Sequence, residues 1–134
     1  MQTSNGNGQD FFKRVAYPLY CRHQAEGESE ELLWAAVVSL NHVKDYRKID
    51  GAKFRNRPSL KILESIANAF KHAKPQRSGS KIDLASLSND FLSIPDVLAE
   101  PNVLAIWVIE VDGKTCSIGP VLKTVVEFYM SDDN

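Results

Sequence analysis

Apolar residues recur with helical spacing in four separate segments of the chain. In the first, residues 10–25, they return every three or four positions, which gives a helix one apolar face, and Asp10 is placed to cap its start. Pro18 lies inside this segment, and we expect a kink there because proline removes a backbone hydrogen bond and clashes with the preceding turn. The second segment, residues 30–48, follows Ser29, whose hydroxyl can accept hydrogen bonds from the first free amides of a helix. Its first half is apolar on nearly every side, which predicts the central helix of a bundle.

The third and fourth segments are bounded by prolines. Residues 59–74 follow Pro58, which suits the first turn of a helix, and precede Pro75, which cannot continue one. Residues 120–131 repeat apolar side chains at three and four positions rather than alternating, which predicts a helix and not a strand. The four helices are expected to enclose one core, and its predicted residues are Val37, Leu40, Leu63, Ile66, Phe70, Val125 and Phe128.

One β-hairpin is predicted ahead of the last helix. A β-branched and aromatic run reaches Asp112-Gly113, which is the strongest short-range signal for a hairpin. Residues 76–101 show no clear period, and we expect a packed connection with one or two short helical turns. The predicted fold class is mainly α, a four-helix up-and-down bundle with a β-hairpin inserted before the last helix. Residues 1–9 are predicted to form a flexible leader and residues 10–134 a single helical-bundle domain.

Length and composition indicate a globular protein with one core. The chain has 134 residues, of which 43% are hydrophobic and 25% charged. The polar first residues do not resemble a secretory signal, and no stretch approaches the ~20 apolar residues of a membrane helix, so we expect a cytoplasmic protein without a membrane partner. Cys21 and Cys116 are the two cysteines, and without a Cys-x-x-Cys motif or a Cys/His cluster neither a metal nor a cofactor is predicted.

Charge is divided unevenly along the chain. Residues 1–81 hold 14 Lys and Arg against 8 Asp and Glu, whereas residues 82–134 hold 2 against 9. The imbalance is concentrated in residues 44–81, the basic stretch, where eleven cations meet three acids and can attract phosphates. Alternatively, the acidic C-terminal part of the chain, or that of a second copy, packs beside the basic stretch and cancels its field. The candidate nucleic-acid-binding residues are Lys44, Arg47, Arg55, Arg57, Lys71 and Lys74.

The third predicted helix ends in a group of polar residues that includes Asn68, Lys71 and His72. The predicted bundle resembles the HEPN superfamily over residues 10–75 and 119–131. It has three long helices, of which the third ends in this polar group, and a fourth helix that closes the bundle. In the ribonucleases of this superfamily, an arginine one to two helical turns ahead of a histidine defines the active motif, and a homodimer brings two copies together over RNA. The resemblance therefore implies a helical bundle, a homodimer and, for an active member, RNA as the substrate.

Carried over to this chain, the resemblance makes His72 and Asn68 the candidate catalytic residues. A histidine side chain titrates near neutral pH and can move protons in metal-free RNA cleavage, and Asn68 shares the helical face of His72. The positions that correspond to the arginine hold Ser65, Ile66 and Ala67, so the cation of the motif is missing from its place.

The expected function is therefore a non-enzymatic HEPN-like binding or regulatory module of bacterial or phage type. Its expected partner is a second copy of the chain, with nucleic acid or another protein as further possibilities. Two alternatives stay open: a metal-independent ribonuclease that uses His72, and a nucleic-acid-binding protein that uses the basic stretch. A third interpretation is structural, because Lys71, His72 and Lys74 lie in the last turn of a helix, where positive side chains complement its negative end.

Overall fold

The computed structural model describes residues 4–47, 56–72, 81–89 and 107–131. In this part of the chain the fold is mainly helical, with a small three-stranded antiparallel sheet. The helical elements are α1 (Ser4–Phe11), a π-helical turn (Phe12–Ala16), α2 (Tyr17–Ala25), α3 (Glu30–Arg47), α4 (Pro58–His72) and α5 (Ile118–Ser131). The strands are β1 (Ile82–Asn89), β2 (Trp107–Val111) and β3 (Lys114–Ser117).

The first helical segment begins earlier than predicted, and it changes helix type just before Pro18. α1 begins at Ser4, ahead of the expected cap at Asp10, so part of the predicted leader is helical. Pro18 does not end the helix, because it stands in the first turn of α2, where a missing amide hydrogen costs little. Directly before it, the π-helical turn closes with a hydrogen bond from the Tyr17 amide to the Phe12 carbonyl. The helix therefore changes type beside the proline, where the sequence predicted a kink.

The three later helices lie where the sequence predicts them. α3 begins after Ser29, whose Oγ accepts a hydrogen bond from the Leu32 amide at 3.2 Å. α4 begins at Pro58, which confirms the proline as a helix start. α5 begins at Ile118, slightly ahead of its predicted start. The predicted continuation of α4 beyond His72 lies outside the described residues.

Side-chain contacts join these helices into one core. Trp34 of α3 stacks on Phe70 of α4, with ring centroids 4.2 Å apart and planes inclined by 18°. Tyr129 of α5 donates a buried hydrogen bond to the Leu40 carbonyl of α3 at 2.9 Å. All the predicted core residues are buried, with exposed fractions between 0% and 8%. The apolar periodicity of the sequence thus identifies the packed faces of α3, α4 and α5.

The predicted hairpin is present, and it is part of a larger sheet. β2 and β3 pair around Asp112 and Gly113, whose φ angles of 53° and 81° lie in the left-handed region that this turn requires. β1 pairs antiparallel with β2, so the strand order is β1-β2-β3. The prediction of short helical turns is therefore wrong for Ile82–Asn89.

An irregularity in β1 explains why the sequence shows no period there. Ile82 and Leu84 are half-buried and alternate with exposed neighbours, as a strand requires. The register with β2 then shifts between Asp83 and Ser88, and Leu87 falls out of phase with the earlier apolar positions. A bulged strand of this kind has neither the two-residue period of a strand nor the period of a helix.

Hydrogen bonds close the end of the sheet at the β2–β3 turn and attach the sheet to the helices. The Asp112 amide donates to the Lys81 carbonyl at 2.8 Å, and the Asp112 carboxylate accepts from the Lys81 amide at 2.7 Å. The Trp107 indole N–H donates to the Gly27 carbonyl at 2.6 Å, which ties β2 to the connection between α2 and α3. None of the described helices is both long enough and apolar enough to cross a membrane.

Candidate nucleic-acid interface

One side of α4 carries polar and charged side chains over the full length of the helix. Leu60, Leu63 and Phe70 point into the core. On the opposite side of the helix, polar and charged residues recur every three or four positions and face outward. From residue 57 to residue 72 this side extends for about 22 Å at the usual rise of 1.5 Å per residue. We refer to it as the α4 face, and its residues are Arg57, Lys61, Glu64, Asn68, Lys71 and His72.

The single acid on the α4 face is held in an ion pair. Lys44 of α3 places its Nζ 3.0 Å from Glu64 Oε2 and 3.2 Å from Asp45 Oδ1. The Lys44 side chain is only 13% exposed, so this pairing is partly shielded from solvent. The ammonium group therefore offsets part of the negative charge of Glu64 in the middle of the face, because it is shared with Asp45. Lys44, a predicted nucleic-acid-binding residue, is thus engaged with carboxylates of the protein itself.

Three cations on the α4 face remain exposed, namely Arg57, Lys61 and Lys71. The ion pairs resolved between described residues are Arg22–Glu26, His42–Asp45, Lys44–Asp45 and Lys44–Glu64, and all of them lie within residues 22–64. The acidic C-terminal part contributes to none of these pairs. In the part of the chain that the structure describes, the basic stretch is therefore not neutralised by ion pairs with residues 82–131.

The structure places the two candidate catalytic residues on the same side of α4. Asn68 is half-buried and His72 is exposed at the end of the helix. No described residue forms a hydrogen bond or ion pair with His72, so no second group orients its imidazole there. Among the remaining predicted site residues, Lys71 is exposed, whereas the side chain of Arg47 and the whole of Arg55 and Lys74 lie outside what the structure describes.

The positions where the superfamily's arginine is expected face the interior of the fold. Ser65, Ile66 and Ala67 have exposed fractions of 6%, 0% and 0%. An arginine in this part of α4 would enter the core, where burial of an unpaired charge is strongly unfavourable. The packing of α4 therefore leaves no room for an arginine at these three positions.

A cleft of about 380 Å³ lies between the start of α4 and the second half of α5. The Arg57 guanidinium carbon stands 4.8 Å from the centre of the Phe128 ring, which is a cation–π contact. Ser59, Thr124 and Glu127 contribute polar walls. Because Arg57 belongs to the α4 face and also lines the cleft, the two features are continuous. The sequence pattern identifies Phe128 as a core residue but gives no sign of this cleft, since it depends on how two helices that are distant in sequence meet.

A buried histidine lies on α2, away from the α4 face. His23 is 7% exposed, and its Nδ1 has no hydrogen-bond partner among the described residues. Burial lowers the pKa of His23, because the charged imidazolium loses hydration inside the protein. The described residues contain no group of His, Cys, Asp and Glu side chains arranged to bind a metal ion.

Comparison with known proteins gives no relative for this chain. No protein-family model matches it, and no curated protein or solved structure shows significant similarity to it.

Proposed function

We propose that the protein is a non-enzymatic HEPN-like binding module that holds nucleic acid along the α4 face. The observation that carries this proposal is the exposure of Arg57, Lys61 and Lys71 on one side of α4, while Glu64 is paired with Lys44. Exposed cations spaced along about 22 Å of helix match the extended row of charges on a phosphate backbone.

A binding role is supported over cleavage because the described residues do not assemble a catalytic group around His72. RNA cleavage without a metal needs a proton-transfer group and a fixed cation beside the phosphate. His72 has no orienting partner among the described residues, and the residues at the arginine positions of the motif are buried. The α4 face therefore offers binding contacts without an arrangement that stabilises a transition state.

The HEPN resemblance adds the proposed architecture and assembly. The proposal includes a four-helix up-and-down arrangement, a homodimer, and a regulatory role in a bacterial or phage cytoplasm. Two α4 faces in one dimer would double the number of phosphate contacts, which raises affinity without any new kind of contact. Sedimentation or light scattering of the purified chain tests the dimer directly.

Salt dependence tests the nucleic-acid interface. With a fluorescently labelled single-stranded RNA, the logarithm of the binding constant should fall with the logarithm of salt concentration, with a slope of about −1.4 for the two phosphate contacts of Lys61 and Lys71, since Arg57 is engaged with the Phe128 ring. The double variant Lys61→Glu with Lys71→Glu should lower affinity and bring the slope closer to zero by about 0.7 for each lost contact.

A matched control separates the α4 face from general electrostatics. Lys13 and Lys114 are exposed residues of the π-helical turn and β3, and changing both to Glu alters the net charge by the same amount. This control variant should bind almost as the wild type does. Undetectable RNA binding at low salt, or equal losses in the two double variants, would rule out the α4 face. Degradation of the RNA that His72→Ala abolishes would instead establish the ribonuclease alternative.

A further inference from the structure

The cleft beside Phe128 has the size and chemistry of a small-molecule subsite. Its volume of about 380 Å³ is at the lower end of the ~300–1,000 Å³ that is usual for ligand pockets, so it suits a single ring system and not a long chain. The guanidinium of Arg57 lies over the Phe128 ring and presents a second flat surface for stacking. Phe128 itself is 8% exposed, so a ligand would stack on Arg57 and not directly on the phenyl ring.

The charges of the cleft favour a neutral ligand over a phosphate. Arg57 supplies one positive charge, but Glu127 also lines the cleft and supplies one negative charge. A phosphate would gain attraction from the first group and suffer repulsion from the second. A nucleobase carries no net charge, can stack on a guanidinium plane, and can donate its amino hydrogens to a carboxylate. Ser59 and Thr124 add hydroxyl groups that both donate and accept.

We propose that the cleft between α4 and α5 receives one unstacked nucleobase of the strand whose backbone lies along the α4 face. The ligand of the protein is then a single-stranded nucleic acid, because a base inside a duplex is paired and cannot enter the cleft. This inference rests on the proposed function, since Arg57 connects the cleft to the α4 face.

Blocking the cleft from its α5 wall tests this inference. Thr124 is exposed and lines the cleft, so Thr124→Phe fills it without disturbing the core. The matched control is Thr115→Phe, the same change at an exposed position of β3. Binding is measured by fluorescence anisotropy for three labelled probes: a short single-stranded RNA, the same RNA in a duplex, and an abasic strand that keeps the sugar-phosphate backbone.

The expected result is a base-dependent loss. The wild type should bind the single strand more tightly than the duplex, and Thr124→Phe should weaken single-strand binding by roughly tenfold, the scale of one lost base stack. Thr115→Phe should bind as the wild type does. The abasic strand should bind equally to wild type and Thr124→Phe, because it has no base to lose.

The possible failures are distinguishable. Equal affinity for single strand and duplex, or wild-type affinity in Thr124→Phe, would overturn the base subsite while the salt-dependent α4 face remains. A loss of abasic-strand binding in Thr124→Phe would show that the substitution obstructs the backbone, which also overturns the subsite. If no probe binds at low salt, the proposed function itself is wrong, and the subsite fails with it.

Discussion

Removal of the Phe70 ring tests the packing that positions the α4 face. Phe70 is 5% exposed and stacks on Trp34 at 4.2 Å. Phe70→Ala should lower the free energy of unfolding by about 3–5 kcal/mol, the range for a large aromatic side chain removed from a core. We expect a value in the upper part of this range, because the loss includes an aromatic pair worth about 0.5–1.5 kcal/mol beyond its buried area.

Local geometry limits how far the site can collapse after this substitution. The Trp34 indole N–H donates to the Glu30 carboxylate at 3.0 Å, so the indole is held from its outer edge. This hydrogen bond opposes rotation of the ring into the cavity, and any volume that stays unfilled adds to the cost of the lost ring.

Urea unfolding of wild type and variants measures the effect. The double-mutant cycle of Phe70→Ala with Trp34→Ala should give a coupling energy of about 0.5–1.5 kcal/mol. Phe11→Ala is the control, because Phe11 is only half-buried and should cost clearly less. A loss below about 1 kcal/mol for Phe70→Ala would show that this ring does not fill the interface between α3 and α4. Strict additivity in the cycle would show that the stack contributes nothing of its own.

Two further predictions concern buried polar groups. Burial lowers the pKa of His23, so as the pH falls the unfolded chain takes up a proton before the folded chain does. This residue therefore lowers the free energy of unfolding as the pH falls below about 6.5, by at most about 1.4 kcal/mol per pH unit. Unfolding between pH 7.5 and 5.5 should therefore show a shallower pH dependence for His23→Gln than for the wild type, and an identical dependence in the two proteins would contradict this. Tyr129→Phe should cost about 0.5–1.5 kcal/mol in urea unfolding, because it removes the buried hydrogen bond to the Leu40 carbonyl at 2.9 Å while that carbonyl keeps its helical hydrogen bond within α3, and an unchanged midpoint would show that the tyrosine hydroxyl adds no net stability.

The sequence predicts those parts of the fold in which a local pattern and the packing agree. α4 is the clearest case, because Leu63, Ile66 and Phe70 recur at helical spacing and all become buried. The hairpin is predicted by Asp112 and Gly113, because the turn needs residues that tolerate positive φ. In both cases the residues that determine the structure are near each other in sequence.

Features that depend on distant contacts are not readable from the local pattern. The register shift in β1 removes the alternation by which Leu84 and Leu87 would indicate a strand. The cleft exists because Arg57 meets Phe128 across two helices, and no spacing in the sequence indicates that meeting. His72 is identified by its helix position, but only the structure shows that no described residue orients it.

The link between Trp107 and Gly27 affects the order in which the chain can fold. Its hydrogen bond joins positions that are 80 residues apart, and the entropy cost of closing a loop grows with loop length. Trp34 and Phe70 are closer in sequence and stack within the helical core. Pairing of α3 with α4 can therefore precede docking of the sheet, since contacts between distant residues form late unless other structure first brings them together. Trp34 therefore reports on the pairing of α3 with α4 and Trp107 on the docking of the sheet, so the fluorescence of variants that keep one tryptophan each distinguishes the two events.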